Sequence, residues 1–188
     1  MRMIKSFLKA VEFVVRYWLA GKFCYLSQDK ETQDAINVSR AKVAAFADEE
    51  RAKLNLKHVL VLSAPGMPGV FGRCMLLGHV VLINPVGNDH VIKTLRHELR
   101  HAWQHQYHGS KVNWCWRNMG SRKWENDAFY WLSLAEIDAR YYAESGDVEG
   151  VFSLFSVQQL EQMKKDGALL PTMYRLAEEC GVLPELES

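Results

Sequence analysis

Closely spaced cysteines are missing from this sequence, which removes one large class of metal site. Its four cysteines, Cys24, Cys74, Cys115 and Cys180, are widely scattered, and none forms a Cys-x-x-Cys pair. The spacing of a cysteine-based zinc site is therefore lacking. Scattered cysteines favour a reduced, intracellular protein, and we expect a cytoplasmic location.

An excess of charge of one sign is also missing. Lysine and arginine number 23, and aspartate and glutamate number 22. The chain therefore has no basic field of the kind that nucleic acid attracts. Trp114, Trp116 and Trp124 alternate with basic residues, a pattern seen in single-strand binders. With a near-zero net charge, we interpret these tryptophans as core or pocket-wall residues.

A long uninterrupted apolar run is missing too. Residues 1–20 are basic and then apolar, but Glu12 and Arg16 interrupt them, so neither a signal peptide nor a membrane span of about 20 residues fits. The spacing instead predicts an amphipathic helix packed on the domain. The alternative is contact of residues 1–20 with a membrane surface. The apolar stripe comprises Phe7, Leu8, Val11, Val14, Val15, Trp18 and Leu19.

What is present is an ordinary globular composition, with 188 residues, 48% hydrophobic and 24% charged. We predict a single domain over residues 1–188, with a core of about 57–145 and flanking helices in 1–56 and 146–188. The pattern predicts an α+β fold. Its elements are a helix over 29–54 capped by Ser27 or Asp29, a strand over 58–63, pairing of 71–77 with 79–84, and helices over 157–165 and 173–180 capped by Ser156 and Thr172.

The most informative segment is His97-Glu98-Leu99-Arg100-His101, an HExxH motif. Two histidines four residues apart lie on one helical face, so both imidazoles reach a single metal ion. A glutamate after the first histidine can take a proton from water at that metal. This is the minimum equipment for zinc-assisted hydrolysis.

The motif lies inside a predicted helix that begins at Val91. Val91, Leu95, Leu99 and Ala102 give apolar spacing near three and four, so one face packs on a core. Asn88 or Asp89 is the expected N-cap, and Gly109 is the expected stop.

A zinc hydrolase needs a third protein ligand, and the residues just after the motif do not offer one. Gln104 and Tyr107 stand where the metzincin pattern has glycine and histidine. His105 and His108 continue along the helix axis, away from a site shared by His97 and His101. We interpret both as additional polar residues of the helix.

Glu136 is the better candidate, in a second predicted helix over residues 126–143. Ala135, Ala139 and Ala143 let this helix approach another closely, so Glu136 among them points at a neighbouring helix and needs a metal or a strong partner. Asp138, in the same turn, is the rival ligand. Its other predicted role is to accept a hydrogen bond from the second ring nitrogen of a ligand histidine.

These residues carry a family resemblance. HELRHAWQ, followed by AEIDARYYA, resembles the gluzincin branch of HExxH metallopeptidases, and is similar to the small single-domain members of bacteria and phages. The resemblance covers about residues 57–145. It implies a zincin-like fold, in which a small mixed or antiparallel sheet packs on the HExxH helix. It further implies Zn²⁺ held by His97, His101 and Glu136, with Glu98 as the base.

The strand over residues 78–85 also resembles the edge strand of that family. An extended peptide substrate would add to it through main-chain hydrogen bonds, beside His79, Val81 and Ile83.

The expected function is therefore a zinc-dependent metallopeptidase that hydrolyses peptide bonds, with Glu98 as general base. The donor that would stabilise the oxyanion stays open. The candidates near the motif in sequence are Tyr107, Arg140, Tyr141 and Tyr142.

Three rivals stay open. One is a SprT-like protease with a histidine third ligand, because His108-Gly109 has a faint likeness to its His-Gly element. Another is a non-catalytic binding or regulatory module on a zincin fold. The third is a helical scaffold in which the motif occurs by chance.

Overall fold

The computed structural model describes residues 2–65, 71–85, 90–119 and 128–183. Over these residues the chain is a mixed α and β structure, mostly helical, with a three-stranded sheet, which agrees with the predicted α+β class. By its internal packing it divides into two compact units, residues 1–106 and 107–188. The single domain stays a prediction.

The helices and strands, in chain order, are α1 (Arg2–Leu26), α2 (Lys30–Lys53), β1 (Leu60–Ser63), β2 (Gly72–Met75), β3 (Val80–Ile83), α3 (Val91–Asn118), α4 (Ala128–Trp131), α5 (Leu134–Ser145), α6 (Val157–Lys165) and α7 (Leu169–Glu179). Single 3₁₀ turns occupy Leu76–Gly78 and Phe152–Leu154. Among the residues described, no helix combines the length and apolar character needed to span a bilayer.

Helix α1 packs on the sheet, but fewer of its apolar residues are in contact with the sheet than the sequence predicts. Val14 and Tyr17 contact a buried cluster of Ala64, Val80 and Leu82. The predicted packing face is wrong for four residues that are exposed, Val11, Val15, Trp18 and Leu19. They lie on another side of the helix because each residue turns the chain by about 100°. Phe7 and Leu8 lie outside the described side chains.

Helix α2 begins and ends within one residue of the prediction. The Asp29 side chain caps it by accepting a hydrogen bond of 2.8 Å from the Thr32 amide, which satisfies a donor left free at the helix start. Ile36, Val43 and Ala47 form its buried stripe.

The sheet has the strand order β1-β3-β2. β1 runs parallel to β3 and β2 antiparallel to it, with Leu60 opposite Val80 and Gly72 opposite Ile83. The predicted pairing of 71–77 with 79–84 is confirmed. The predicted edge strand is wrong, because β3 is the central strand and its residues Val80–Ile83 are all buried. Its backbone groups already pair on both sides, so no peptide can add beside His79, Val81 and Ile83.

The tight turn between β2 and β3 brings the sheet against α3. Leu76, Leu77 and Gly78 all have positive φ, at 52°, 56° and 86°. A Cβ at Gly78 would lie 2.6 Å from the carbonyl oxygen of Ala102 in α3. Glycine is therefore required here both by its backbone conformation and by the close approach of the helix.

Helix α3 carries the HExxH motif in its first segment and continues beyond a kink. Leu95, Leu99 and Ala102 have no exposed surface, so the predicted apolar face is confirmed. The motif-bearing segment ends at a kink at His108 (φ −136°, ψ 32°), directly before Gly109, which agrees with the predicted stop, and a second helical segment continues to Asn118. The expected caps, Asn88 and Asp89, lie outside the described residues.

In the unit of residues 107–188, the helix predicted over 126–143 is interrupted. Its first residues, 126 and 127, lie outside the described part. Helix α4 ends at Trp131, and Ser133 then caps α5 by accepting a hydrogen bond from the Glu136 amide. This cap is worth about 1 kcal/mol and restarts the helix at Leu134. Glu136 consequently stands in the first turn of α5.

Of the two C-terminal helices, α7 packs against both α5 and α6. Ser156 caps α6 in a capping box with Gln159, as predicted for Ser156. Helix α7 begins at Leu169 rather than after Thr172, and it has no side-chain cap. Met173, Leu176 and Ala177 supply its buried face.

Candidate metal centre

The two motif histidines face each other on α3. Their ring centroids are 4.7 Å apart and the ring planes are nearly perpendicular, at 87°. The Nε2 atom of His97 lies 3.1 Å from the Nε2 atom of His101. The apolar side of α3, which contains Leu95 and Leu99, is buried, and this packing fixes the direction in which the histidines project.

The separation of these two nitrogens fits one metal ion. A tetrahedral zinc with Zn–N bonds of about 2.0–2.1 Å holds two ligand nitrogens roughly 3.3–3.4 Å apart. The observed distance of 3.1 Å is close to this value. The pair of imidazoles therefore needs only a small movement to ligate a zinc ion together.

Gln104 sets the tautomer of His101. Its side-chain oxygen lies 2.9 Å from the Nδ1 atom of His101, and because an amide oxygen only accepts, Nδ1 must donate a proton to it. The neutral ring then keeps its lone pair on Nε2, the atom that faces His97. Gln104 has no exposed surface. This is the tautomer and support that a histidine ligand needs.

Glu136 provides the third donor. One carboxylate oxygen of Glu136 and one ring nitrogen each of His97 and His101 all lie within 4.8 Å of one another. Glu136 is 2% exposed, and burying a carboxylate is unfavourable unless it has strong partners. Two imidazoles and a carboxylate form one of the donor sets that zinc takes in catalytic sites, leaving a fourth position for water or substrate. The chemistry of the donor set therefore fits zinc.

Glu98 stands beside this group without belonging to it. It is 8% exposed and is not among the three grouped residues. Strand β2 passes directly over it, since a Cβ at Gly72 would lie 2.7 Å from Cγ of Glu98 and 2.7 Å from Cγ2 of Thr94. The missing side chain at Gly72 makes room for the Glu98 carboxylate at the edge of the sheet.

Asp138 has a structural role in its own unit. Its Oδ1 atom accepts hydrogen bonds from the amides of Val151 (2.9 Å) and Phe152 (3.0 Å), and so holds the chain that follows α5. The acceptor for the second ring nitrogen of His101 is Gln104, not Asp138. Among the described residues, the His/Asp/Glu/Cys group that could hold a metal includes Glu136 and not Asp138.

Arg140 uses its guanidinium on backbone carbonyls. Nε donates to Glu136 (3.2 Å), one terminal nitrogen donates to Val182 (2.5 Å), and the other donates to Trp131. Burial lowers the pKa of Arg140, and the Glu136 carboxylate opposes that shift. Arg140 thus ties the start of α5 to the chain segments on either side of it.

The three tyrosines proposed as oxyanion donors differ in their surroundings. Tyr142 has no exposed surface, whereas Tyr107 is 44% exposed. The Tyr141 hydroxyl is 3.4 Å from a carboxylate oxygen of Asp147 in the turn after α5. The oxyanion role stays a prediction for all three and for Arg140.

The remaining histidines do not join the group. The His108 ring packs edge-on against Phe152, with centroids 5.6 Å apart. The Nδ1 atom of His79 is 3.3 Å from the carbonyl oxygen of His58. Burial, together with the smaller effect of the neighbouring His101, lowers the pKa of His105 to about 4. His105 is therefore a neutral, partly buried side chain at physiological pH.

The sequence analysis did not predict the surroundings of two arginines of α3, Arg100 and Arg96, nor those of Gln104. Arg100, inside the motif, has no exposed surface and its guanidinium lies 3.9 Å from the ring centroid of Trp103. Arg96, directly before His97, lies 3.4 Å from the buried Glu50 of α2. This ion pair fixes α3 against α2 next to His97. A charged residue preceding the motif gave no signal of such a partner 46 positions earlier.

No protein-family model matches this chain, and neither a curated protein nor a solved structure matches it significantly.

Proposed function

We propose that this chain is a zinc-dependent metallopeptidase of gluzincin type, with His97, His101 and Glu136 as the metal ligands and Glu98 as the general base. The observation that carries the proposal is the grouping of one donor atom from each of the three ligands within 4.8 Å. Glu136 lies 35 positions after His101 in the sequence, so chance would rarely bring it to the motif.

Zinc is favoured over other divalent ions by the donors. Imidazole nitrogens suit zinc, whereas magnesium and calcium prefer oxygen ligands alone. A zinc ion held there would lower the pKa of a coordinated water to about 7 and polarise a substrate carbonyl. The hydrogen bond from Gln104 supports this by keeping the Nε2 lone pair of His101 available.

Glu98 moves the proton in the proposed reaction. Its carboxylate accepts a proton from the water whose oxygen attacks the carbonyl carbon of the peptide. It then delivers that proton to the leaving nitrogen as the C–N bond breaks, so the protons balance over one turnover. The cover that β2 places over Glu98 limits the positions of the carboxylate, which serves both transfers.

The proposed fold type is zincin-like, on the basis of the HExxH helix packed beside a small mixed sheet. The substrate strand is reassigned from β3 to β2. In the described part of the chain, β2 pairs with β3 alone, and its Gly72 lies against Glu98. An extended peptide added to the free edge of β2 would place its carbonyls next to the base.

A histidine-ligated, SprT-like layout has less support. The His108 ring contacts Phe152, and the group that could hold a metal contains Glu136 instead. The two layouts make opposite predictions for metal content. Glu136→Ala should lose zinc and His108→Ala should keep it, whereas the SprT-like layout requires the reverse.

The test of catalysis is Glu98→Gln. Glutamine keeps the shape of the side chain but cannot accept a proton, so we expect cleavage of fluorescently labelled casein by the zinc-loaded protein to fall by about 10²–10⁴-fold. Zinc content should stay unchanged, because Glu98 is not a ligand. The matched control is Glu161→Gln on the exposed surface of α6, which should cleave like the unmodified chain.

Two results would count against the proposal. Activity that persists in zinc-loaded Glu98→Gln would remove Glu98 as the base. A zinc-loaded, folded protein that cleaves neither casein nor a library of short peptides would favour the non-catalytic binding module instead.

A further inference from the structure

Helix α1 presents an apolar stripe to solvent on a different side from its packed residues. Among the side chains that the structure describes, six of the fifteen large exposed hydrophobic residues fall on residues 11–26 of this helix. The most exposed are Phe23 at 71% and Leu26 at 60%. The six residues are Val11, Val15, Trp18, Leu19, Phe23 and Leu26. They recur at helical spacing, so they form one continuous surface, here named the α1 stripe.

The α1 stripe is not the side by which the helix joins the fold. Val14 and Tyr17 pack against the sheet cluster, and a Cβ at Gly21 would lie 3.0 Å from the carbonyl oxygen of Pro65. These positions also repeat at intervals of three and four, on another side of the helix. A helix with one apolar side already buried has no need of a second one for its own packing, and contiguous exposed apolar surface marks an interaction site.

Charge indicates what covers the stripe. Residues 2–26 contain five lysines and arginines and one glutamate, a net charge of +4, while the whole chain is +1. The remaining residues therefore carry a net charge of −3. Lys22 lies within the stripe, its ammonium 5.7 Å from the ring centroid of Trp18. Tryptophan next to lysine suits the boundary between acyl chains and charged headgroups.

We propose that α1 docks in the plane of an anionic membrane surface, with the α1 stripe among the outer acyl chains and Arg16 and Lys22 at the headgroups. A second copy of this chain fits less well. A symmetric contact through the stripe would bring two helices of charge +4 together, and like charges oppose such pairing. Nucleic acid would match the charge but not the apolar side chains, which it cannot bury in bulk.

The test is co-sedimentation of the full chain with extruded vesicles. We expect binding to vesicles of phosphatidylglycerol mixed with phosphatidylcholine, and at least tenfold weaker binding to phosphatidylcholine alone, since each basic residue near an anionic surface strengthens binding roughly fivefold. Binding to the mixed vesicles should weaken with added salt. Zinc plays no part in this expectation, so the measurement is independent of the proposed function.

Two pairs of variants separate the apolar and charged contributions. Trp18→Ser with Phe23→Ser should lose most binding. The control Leu154→Ser with Tyr174→Ser changes two hydrophobic residues that are exposed elsewhere, at 55% and 45%, and should keep it. Arg16→Glu with Lys22→Glu should weaken binding more than tenfold, whereas Lys42→Glu with Lys165→Glu makes the same charge change on other helices and should have little effect. Circular dichroism establishes that every variant is folded.

Three results would overturn the proposal. One is equal binding to charged and neutral vesicles, and another is no binding to either. The third is a dimer in solution that Trp18→Ser with Phe23→Ser dissociates while vesicle binding is absent, which would assign the stripe to a second copy of the chain.

Discussion

The side-chain oxygen of Gln104 decides which nitrogen of His101 carries a proton. With Nδ1 donating to Gln104, the lone pair of the His101 ring is on Nε2, so the proposed zinc ion would bind without first moving a proton on this ring. Gln104→Leu removes the acceptor at nearly constant volume. We expect zinc affinity, measured by competition with a chromophoric chelator, to fall by about 10–100-fold.

Gln106 is the matched control on the same helix. Its amide hydrogen-bonds to the backbone of Lys57 and to the carbonyl oxygen of Gly78, so Gln106→Leu should lower the melting temperature and leave zinc affinity unchanged. Equal zinc affinities in the two variants would show that the hydrogen bond to His101 does not support a ligand.

The thiol of Cys115 offers a test of burial within α3. Burial raises its pKa to about 11, although the Ala135 backbone and Lys111 act in the opposite direction. At pH 8 its thiolate is about a hundredfold scarcer than that of an ordinary thiol, so we expect iodoacetamide to label Cys115 far more slowly than the partly exposed Cys24. Mass spectrometry of the labelled peptides measures both rates.

The same shift has a consequence for stability. The unfolded thiol ionises near pH 9 and the folded one near pH 11, so the contribution of neutral Cys115 is fully present below pH 9 and is lost as pH rises towards 11. Rapid labelling of Cys115 in the folded protein, at the rate seen in denaturant, would contradict this description of the core.

At the scale of elements, Gly78 shows how closely the sheet approaches the motif helix. Alanine there would have to adopt φ near 86° and would bring its Cβ to 2.6 Å from the carbonyl oxygen of Ala102. We expect Gly78→Ala to lower the free energy of unfolding by about 2–4 kcal/mol, from backbone strain and overpacking together. Urea denaturation measures the loss.

Gly167 separates the two causes. It has a similar φ of 71°, but nothing lies within 4 Å of a Cβ built there. Gly167→Ala should therefore show the backbone term alone, about 1 kcal/mol. Similar losses in the two variants would mean that the turn before β3 does not press against α3.

The elements also show where sequence patterns are sufficient. The apolar spacing of Leu95, Leu99 and Ala102 predicted the buried face of α3, and Asp29 and Ser156 predicted two helix starts, because these signals involve neighbours in the chain. Gly109 marked the kink at His108 that ends the motif-bearing segment, but not the second helical segment after it, in which Val112 and Cys115 are buried. Ser133 as a cap was missed because apolar residues continue on both sides of it.

Strand order was beyond the reach of the same patterns. The pairing of β2 with β3 follows from a short connection, which the sequence shows. The parallel pairing of β1 with β3 joins strands with β2 between them in sequence, and nothing local encodes it. For this reason the sequence pattern places β3, and not β2, at the edge of the sheet.

At the candidate site, the sequence shows Gln104 only as a departure from the metzincin pattern. Its hydrogen bond to His101 is not predictable, because a glutamine three residues after a histidine is not a recognisable motif.

For the molecule as a whole, the near-neutral charge conceals an uneven distribution. Residues 2–26 carry +4 and the rest of the chain −3. The chain as a whole therefore has no basic field, whereas α1 has one.

Zinc bound at the proposed centre should also raise the free energy of unfolding of the whole chain. Zinc at a hundred times its dissociation constant adds about 2.7 kcal/mol to the free energy of unfolding, provided that it binds only the folded state.

The central claim is that His97, His101 and Glu136 hold one zinc ion, and elemental analysis tests it most directly. The chain is purified without a metal-affinity tag or chelator and compared with His101→Ala, Glu136→Ala and Glu98→Gln. We predict stoichiometric zinc in the unmodified chain and in Glu98→Gln, and loss of zinc in the other two. Folded, unmodified protein that takes up no zinc, or Glu136→Ala that retains it in full, would contradict the account.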